Sequence, residues 1–593
     1  MRDMTSLLRL ARVIALENFA DDRLVDILQS WLKDCRAHTM CQSTNAQSIS
    51  PARIINVTND QVRIEEPGSL QEPYVALSHC WGGSILPRAT KATIQLLKST
   101  IDWGSLTKTF QDAITLTRKL GFHYIWIDSL CIIQDDENDW RVESLKMADI
   151  YENAELVVSA TGAKDGSEGL FRERKPVQIL ASDDTQDSST VREYGSNHKV
   201  IYTHGPGECN DKDCPIYICR DTARHAQWDS LDMIAQSSGQ FNPLLTRAWA
   251  FQEKLLATRI VHFADHELVW ECKETQRCEC MHLDRSDGRP MLERSSDNTK
   301  LRFSKATSSP QSSQALELYE LWAKVVAGYT ERFLTFEKDR LPALHGAIQK
   351  MQKLNLGPCV GGLFLSEVPR CLLWRAAEPG TRHEVYRAPT WSWASIMPPR
   401  KQPPRITYLW HSYSEGLGTY DYSLEETCIE PIGGLVMADG PIIDEPQFGL
   451  HFRGPLISAT LIVKITDQPY LDIAGGYGFM LHNMPPRNYS YYILLNDQSI
   501  SFYPDILLHL GDKDMESSFE ISLVAIARRY KQKKADQILV LKRLESEEDY
   551  TGIGMLPQTF GDPIFQRIGI VTKLEDDGQD WFDDAKKKAM YIF

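Results

Sequence analysis

The chain has 593 residues, 42% of them hydrophobic and 24% charged, which suits a globular protein of two to four domains. A formal net charge of -15 argues against a nucleic-acid backbone as the main partner, because that contact needs a basic face, and leaves room only for a local basic patch. No apolar run reaches the roughly 18 to 20 residues that cross a bilayer, so no membrane partner is assigned. Thirteen cysteines, an odd number spread over a long chain, fit reduced thiols in the cytoplasm rather than a disulfide framework.

Residues 1–50 form an N-terminal helical segment. Leu7–Leu16 is interrupted by Arg9 and Arg12, so it reads as an amphipathic helix and not a secretory leader. Leu24, Ile27, Leu28 and Trp31 continue the helical spacing to about residue 41, before a polar linker at 42–50. Val62–Glu66 is a candidate strand. Tyr74–Ser78, His123–Ile127 and Glu155–Ala160 are three further strands, separated by two helices. Ser105 is placed to cap the first helix and Gly121 to close it; the second runs through Trp140, Met147, Ile150 and Tyr151. That alternation predicts parallel pairing, with the loops 78–83, 128–134 and 159–169 delivered to one edge of the sheet.

Residues 172–240 are polar and read as an insertion carrying Cys209, Cys214 and Cys219. Order resumes with a helix over Leu244–Leu256 and a hairpin, Arg259–Phe263 and Glu267–Cys272, turning at Asp265-His266. The boundaries are then 51–283 for an α/β domain with its core at 74–256, 284–314 for a Ser/Asp/Arg-rich mobile linker, and 315–400 for a helical and aromatic extension. From 401 to 593, segments such as Leu461–Ile465, Ile521–Ala527 and Ile538–Leu541 predict a β-rich C-terminal region.

Several blocks occur in a fixed order: Tyr74-Val-Ala-Leu-Ser-His-Cys-Trp-Gly-Gly83, Leu106–Ala113, Tyr124-Ile-Trp-Ile-Asp-Ser-Leu-Cys131, Ala148–Ala154, Ser159–Gly162, Glu168–Phe171, Arg247-Ala-Trp-Ala-Phe-Gln-Glu253, Leu341–Gly346 and Trp391–Ser395. Together with Trp31–Cys41 they resemble the fungal heterokaryon-incompatibility (HET) domain over about residues 28–400. The resemblance implies a parallel-sheet, TIR-like α/β fold and a cytosolic role in non-self recognition and programmed cell death. The TIR likeness makes NAD the candidate substrate. Other HET-like proteins accompany secondary-metabolism enzymes, so a biosynthetic enzyme is the alternative, and a non-catalytic module working through a protein partner or self-association is a third. Where the family pattern has Thr, this chain has Ala250.

The polar set at the strand ends carries the chemistry. Ser78, His79, Trp81, Gly82, Gln134 and Ser159 are candidates to line a small-molecule or nucleotide site, joined by Arg247, Trp249 and Gln252 from the later helix. Asp128 is suited to orient a histidine or hold a ribose hydroxyl. Cys80 and Cys131 are candidate nucleophiles, which requires a base in reach and a lowered thiol pKa; His79 and Cys80, adjacent on a strand, point to opposite faces. Cleaving an N-glycosidic bond requires a carboxylate beside the ribose, by analogy with glycosidases. The TIR likeness points to Glu168, and Glu253 competes, unless it only pairs with Arg247 or Arg259. Cys35/His38/Cys41 and Cys272/Cys278/Cys280/His282 contain zinc-ligand types, but neither spacing is a standard finger, so no metal is assigned.

Overall fold

The structure is a computed structural model. It describes residues 22–42, 50–172, 242–279 and 298–593, apart from residues 60, 71, 83–86, 265–267, 309–313, 355, 369, 384–385, 399–402, 409–423, 428, 432–448, 467–487, 496–497, 507, 509–515, 530–536, 545–561, 572–581 and 583. The start of the N-terminal helix, the insertion with its three cysteines, the Asp265-His266 turn, Cys280 and His282 lie outside the described residues. Two compact units emerge, Met1–Ser313 with His345–Ala347, and Gln314–Leu344 with Ile348–Phe593.

Among the described residues, the first unit begins with helix α1, Asp22–Cys35. Leu24, Leu28, Trp31, Leu32 and Cys35 recur at helical spacing on one face and are all buried. Eight strands then make one sheet: β1 Ile54–Asn56, β2 Arg63–Glu65, β3 Val75–Ser78, β4 Tyr124–Trp126, β5 Leu156–Ser159, β6 Arg259–Phe263, β7 Leu268–Cys272 and β8 Gln276–Cys278. Their order is β2-β1-β4-β3-β5-β6-β7-β8. β4, β3, β5 and β6 pair in parallel, and the outer strands are antiparallel. Val75–Ser78 and Leu156–Ser159 are buried at every position, as continuous apolar strands must be when both faces of a parallel sheet are covered.

The connections set the site. From β3 the chain passes through α2 (Ile94–Ser99) and α3 (Lys108–Lys119) to β4 on one side, then through α4 (Asp128–Cys131) and α5 (Glu137–Asn153) to β5 on the other. Successive crossovers in opposite directions make the carboxyl ends of β3 and β5 a topological switch point, the place where open α/β sheets bind ligands. Three sequence expectations need correction. Thr107, not Ser105, caps α3, accepting from the Phe110 amide, while Ser105 sits in a 3-10 turn and donates to the Asp102 carbonyl. Gly121 does follow α3 at φ +84°. The helix expected from Leu244 starts only at Ala248, because Pro243–Thr246 forms a 3-10 turn; it is α6, Ala248–Leu256. Within the expected mobile linker, Thr299–Ser308 is a helix that buries Leu301, Phe303 and Ala306. It is anchored by the Lys300 ammonium, which donates to the carbonyls of Lys254 and Ala257 at the end of α6.

The second unit contains the helix Ala315–Thr330, begun by a capping box between Gln314 and Glu317. A ten-stranded sheet follows. Its longest strands, Leu450–Thr466 and Glu516–Arg529, pair antiparallel from Leu456↔Val524 to Lys464↔Glu516. Among the described residues the parallel pairing in this sheet is Ile564–Val571 with Lys587–Ile592. Trp374, Trp391 and Trp393 are fully buried. Beside them, the Arg567 guanidinium lies 3.7 Å over the Trp374 ring, pairs with Asp505 at 2.7 Å and donates to the carbonyls of Leu372 and Trp374.

Candidate functional site

At the carboxyl end of β3, residue alternation separates the polar side chains. His79 turns toward α3, edge-on to Phe110 at 5.0 Å between centroids. Ser78 turns the other way and donates to the Glu253 carboxyl on α6. Cys80, on the same side as Ser78, packs with Leu244 and Ala250. The residue that replaces the family's Thr therefore meets the Cys80 side chain in an apolar contact.

Glu253 is the focus of this edge. It is buried between Ser78 and Tyr151, and Tyr151 also donates to the Leu77 carbonyl at 3.1 Å. Burial pushes the Glu253 carboxyl up to about 7; the negative charge of Asp128 adds to this, while Ser78, Arg247 and Tyr151 oppose it. The ion pair that sequence allowed with Arg259 does not form, because Arg259 pairs with Glu155 at 3.1 Å and donates to the Cys41 carbonyl at 2.8 Å. Arg247 donates to the His79 carbonyl at 2.5 Å, tying the start of α6 to the end of β3.

Asp128 lies at the solvent side of this edge. One carboxylate oxygen accepts from the Trp81 indole at 2.8 Å and the other from the Ser129 amide at 2.7 Å. Its side chain is 17% exposed, and His79 Nδ1 stands 3.8 Å away. Burial holds His79 neutral at physiological pH by lowering its pKa, against the pull of Asp128; its Nε2 is buried without a hydrogen-bond partner among the described residues. Gly82, exposed and at φ +66°, lies so close to the 159–169 loop that a Cβ would sit 2.3 Å from Asp165 Cβ. Only glycine combines that backbone with that approach.

The other candidates divide. Register aligns Ser78 with Ser159 and Ser159 with His262, giving a row on the face covered by α6. The Ser159 hydroxyl is engaged by Thr161 at 2.8 Å; Thr161 reaches His262 at 2.9 Å, and His262 reaches Glu271 at 3.2 Å. Burial acts to raise Glu271, but Lys254 and His262 hold it well below the usual carboxylate range. This row is a satisfied polar spine. Gln134 donates to the carbonyls of Asp128 and Ile132, closing a turn. Gln252 accepts from the Gly346 amide at 2.7 Å, and Trp249 is half-buried against the core. Glu168 sits in the surface loop after β5, accepting from the Lys164 amide at 3.0 Å and 3.5 Å from Arg172.

Neither cysteine is prepared as a thiolate. Burial pushes Cys80 up to about 11 and Cys131 up to about 12, so both are thiols at neutral pH. Two neighbours of this cluster escaped the sequence reading of the site. Tyr151 was visible only as a core position of α5, although a phenol one residue after a buried isoleucine is a sign that its tip needs a partner. Asp112 accepts from the amides of Leu170 and Phe171 at 2.9 and 3.2 Å, and from Lys108, which explains why the Leu106–Ala113 and Glu168–Phe171 blocks occur together.

Comparison with known protein families gives a match that coincides with this edge of the sheet. Residues 74–253 fit the family model described as Heterokaryon incompatibility protein (HET). No curated protein and no solved structure matches the chain. The matched segment begins at the residue before β3 and ends at Glu253, spanning all the elements that converge on this edge. Residues 74–253 of the chain are a heterokaryon-incompatibility (HET) domain.

Proposed function

We propose that this protein carries out a heterokaryon-incompatibility type function in the cytosol by binding a nucleotide-type ligand, with NAD as the candidate, at the strand-end switch point and hydrolysing its N-glycosidic bond. The observation that carries this reading is the Glu253 carboxyl, raised to about 7 and within electrostatic reach of the partly buried Asp128. Two carboxyl groups in unlike environments are how a single site divides the labour of glycosidic cleavage. Asp128 is placed to accept ribose hydroxyls. Ionised Glu253 stabilises the positive charge that develops on the ribose and takes a proton from the attacking water. The C–N bond breaks with its electron pair going to nicotinamide, water adds to the ribose carbon, and one proton is released. Trp81 offers a flat apolar wall. The switch-point topology and the HET match support the TIR likeness from which the NAD reading comes.

The test is nicotinamide release by the full-length protein, with Glu253→Gln and Glu168→Gln alongside. Turnover is expected to rise with pH through about 7 as Glu253 ionises, and to drop by about 100-fold or more in Glu253→Gln. Loss in Glu168→Gln with Glu253→Gln intact would move the carboxylate role to the surface loop. An intact protein that releases no nicotinamide at any concentration would end the reading.

A further inference from the structure

The sequence divides its zinc-type ligands into two separate groups, and the fold joins the first to one member of the second. Cys272 and Cys278 lie on opposite faces of the β7–β8 hairpin. The register pairs Glu271 with Gln276 and Val269 with Cys278, so Cys278 shares the Glu271 face while Cys272 shares the Trp270 and Arg277 face. That second face meets α1: Trp270 lies 6.0 Å from Trp31 between ring centroids, and Arg277 pairs with Asp34 at 2.7 Å. Cys272 is thereby carried to the end of α1 and the turn after it.

There, the ligand atoms of Cys35, His38, Cys41 and Cys272 all lie within 4.8 Å of one another. His38 Nδ1 is 3.4 Å from Cys272 Sγ and 3.9 Å from Cys41 Sγ. A zinc tetrahedron with bonds of about 2.3 Å to sulfur and 2.0 Å to nitrogen has edges of roughly 3.5 to 3.8 Å, so closing this set needs shifts of well under an ångström at the reported edges. The three thiols are buried and His38 is half-buried. Cys272 Sγ also accepts from the amides of Glu274 at 3.4 Å and Thr275 at 3.2 Å, the outer hydrogen bonds that orient a thiolate ligand. The backbone around the other ligands is fixed as well: Glu274 accepts from the Met40 amide at 2.6 Å, and Arg259 holds the Cys41 carbonyl.

We propose that Cys35, His38, Cys41 and Cys272 bind one zinc ion in a closed tetrahedral site that fastens α1 to the β7–β8 hairpin. Binding releases three thiol protons to solvent, and His38 coordinates as neutral imidazole through Nδ1. Three soft thiolates and an imidazole favour zinc over the hard cations magnesium and calcium. With all four positions filled by protein, the site is structural and leaves no open position for substrate. It is independent of the switch point at the ends of β3 and β5.

The full-length protein, produced with zinc in the medium and purified under reducing conditions, should retain one zinc per chain through gel filtration. Exchange into cobalt should give the visible d–d bands of a tetrahedral cobalt–thiolate centre together with sulfur-to-metal charge transfer. Cys35→Ser with Cys272→Ser should abolish both signals, and Cys278→Ala should keep them. The cobalt spectrum of the unsubstituted chain decides the matter even where a variant fails to fold. Chain without bound zinc and without that spectrum, zinc retained by the double variant, loss of zinc in a folded Cys278→Ala, or a disulfide joining two of the three thiols under reducing purification would each overturn the proposal.

Discussion

Replacing Glu253 by Gln isolates the energetic cost of ionising a buried carboxyl. The folded group titrates at about 7 against an ordinary value of 4.5. At about 1.4 kcal/mol per pH unit, that gap amounts to roughly 3 kcal/mol. Its sign follows from which state holds the proton more tightly. The folded chain does, so the favourable contribution is fully present below about 4.5 and is lost progressively as the pH rises to about 7, after which it stays lost. Gln has the same shape, can still accept from Ser78 and cannot ionise. The stability of the unsubstituted protein relative to Glu253→Gln should therefore fall by about 3 kcal/mol between pH 4 and pH 8. At about 2 °C per kcal/mol for a unit of this size, the two melting temperatures should move relative to each other by roughly 6 °C. Thermal unfolding followed by circular dichroism at several pH values reads this directly. Parallel melting curves across the range would show that Glu253 is not a buried, proton-retaining group, and would remove the physical basis for its assignment to catalysis. The same variant is expected to lose turnover while gaining relative stability at alkaline pH, the opposite of what loss of a simple structural latch produces.

Three further perturbations test the supports around the site and the second unit. Gly346→Ala would bring a Cβ to 2.2 Å from Ala148 Cβ and 2.9 Å from Leu256 Cδ1, costing about 1 to 3 kcal/mol; adding Ala148→Gly should recover much of it, and strictly additive urea midpoints would refute the contact. Asp112→Ala strands the amides of Leu170 and Phe171, at about 1 to 3 kcal/mol, and should accelerate hydrogen exchange at those two amides; unchanged protection would mean that Asp112 does not hold the loop. Arg567→Met leaves Asp505 buried and unpaired, costing about 3 to 5 kcal/mol, whereas Arg567→Met with Asp505→Leu should restore most of the loss. A double variant no more stable than the single would show that the Arg567 bonds to Leu372 and Trp374, not the ion pair, dominate.

What sequence could deliver here depended on the range of the information. The strands Val75–Ser78, Tyr124–Trp126 and Leu156–Ser159 and their convergence were legible because each is a short apolar run leading into polar residues, whereas Ile54–Asn56 and Gln276–Cys278 were too short to stand out. Parallel pairing follows from alternation with helices, and the register Ser78↔Ser159 makes that convergence literal. The β-rich C-terminal region was legible for the same reason, with Leu461–Ile465, Ile521–Ala527 and Ile538–Leu541 all inside long strands. Which polar side chain meets which was not legible. Ser78 and Ser159 look equivalent in sequence, yet α6 supplies Glu253 to the first, while β6 and the Thr161 turn occupy the second. Gln252 and Glu253 are neighbours on one helix, but one serves the backbone of Gly346 and the other Ser78, a division fixed by what each helical face is packed against.

The cysteine pattern makes the same point from the opposite direction. Counted along the chain, Cys272, Cys278, Cys280 and His282 look like one group, because proximity in sequence is the only distance a sequence offers. On a two-residue strand period, six positions would leave Cys272 and Cys278 on a common face of a continuous strand, but the turn between β7 and β8 inverts that parity and sends them apart. The partners of Cys272 lie instead at the end of the first described helix, brought close by Trp31 against Trp270 and by Asp34 with Arg277. A ligand set that joins Cys35, His38 and Cys41 to Cys272 closes a loop containing most of the sheet, so losing it would uncouple α1 from the edge hairpin. The two should therefore unfold as one cooperative unit in the metal-bound protein and separately after chelation, a difference that hydrogen exchange resolves segment by segment.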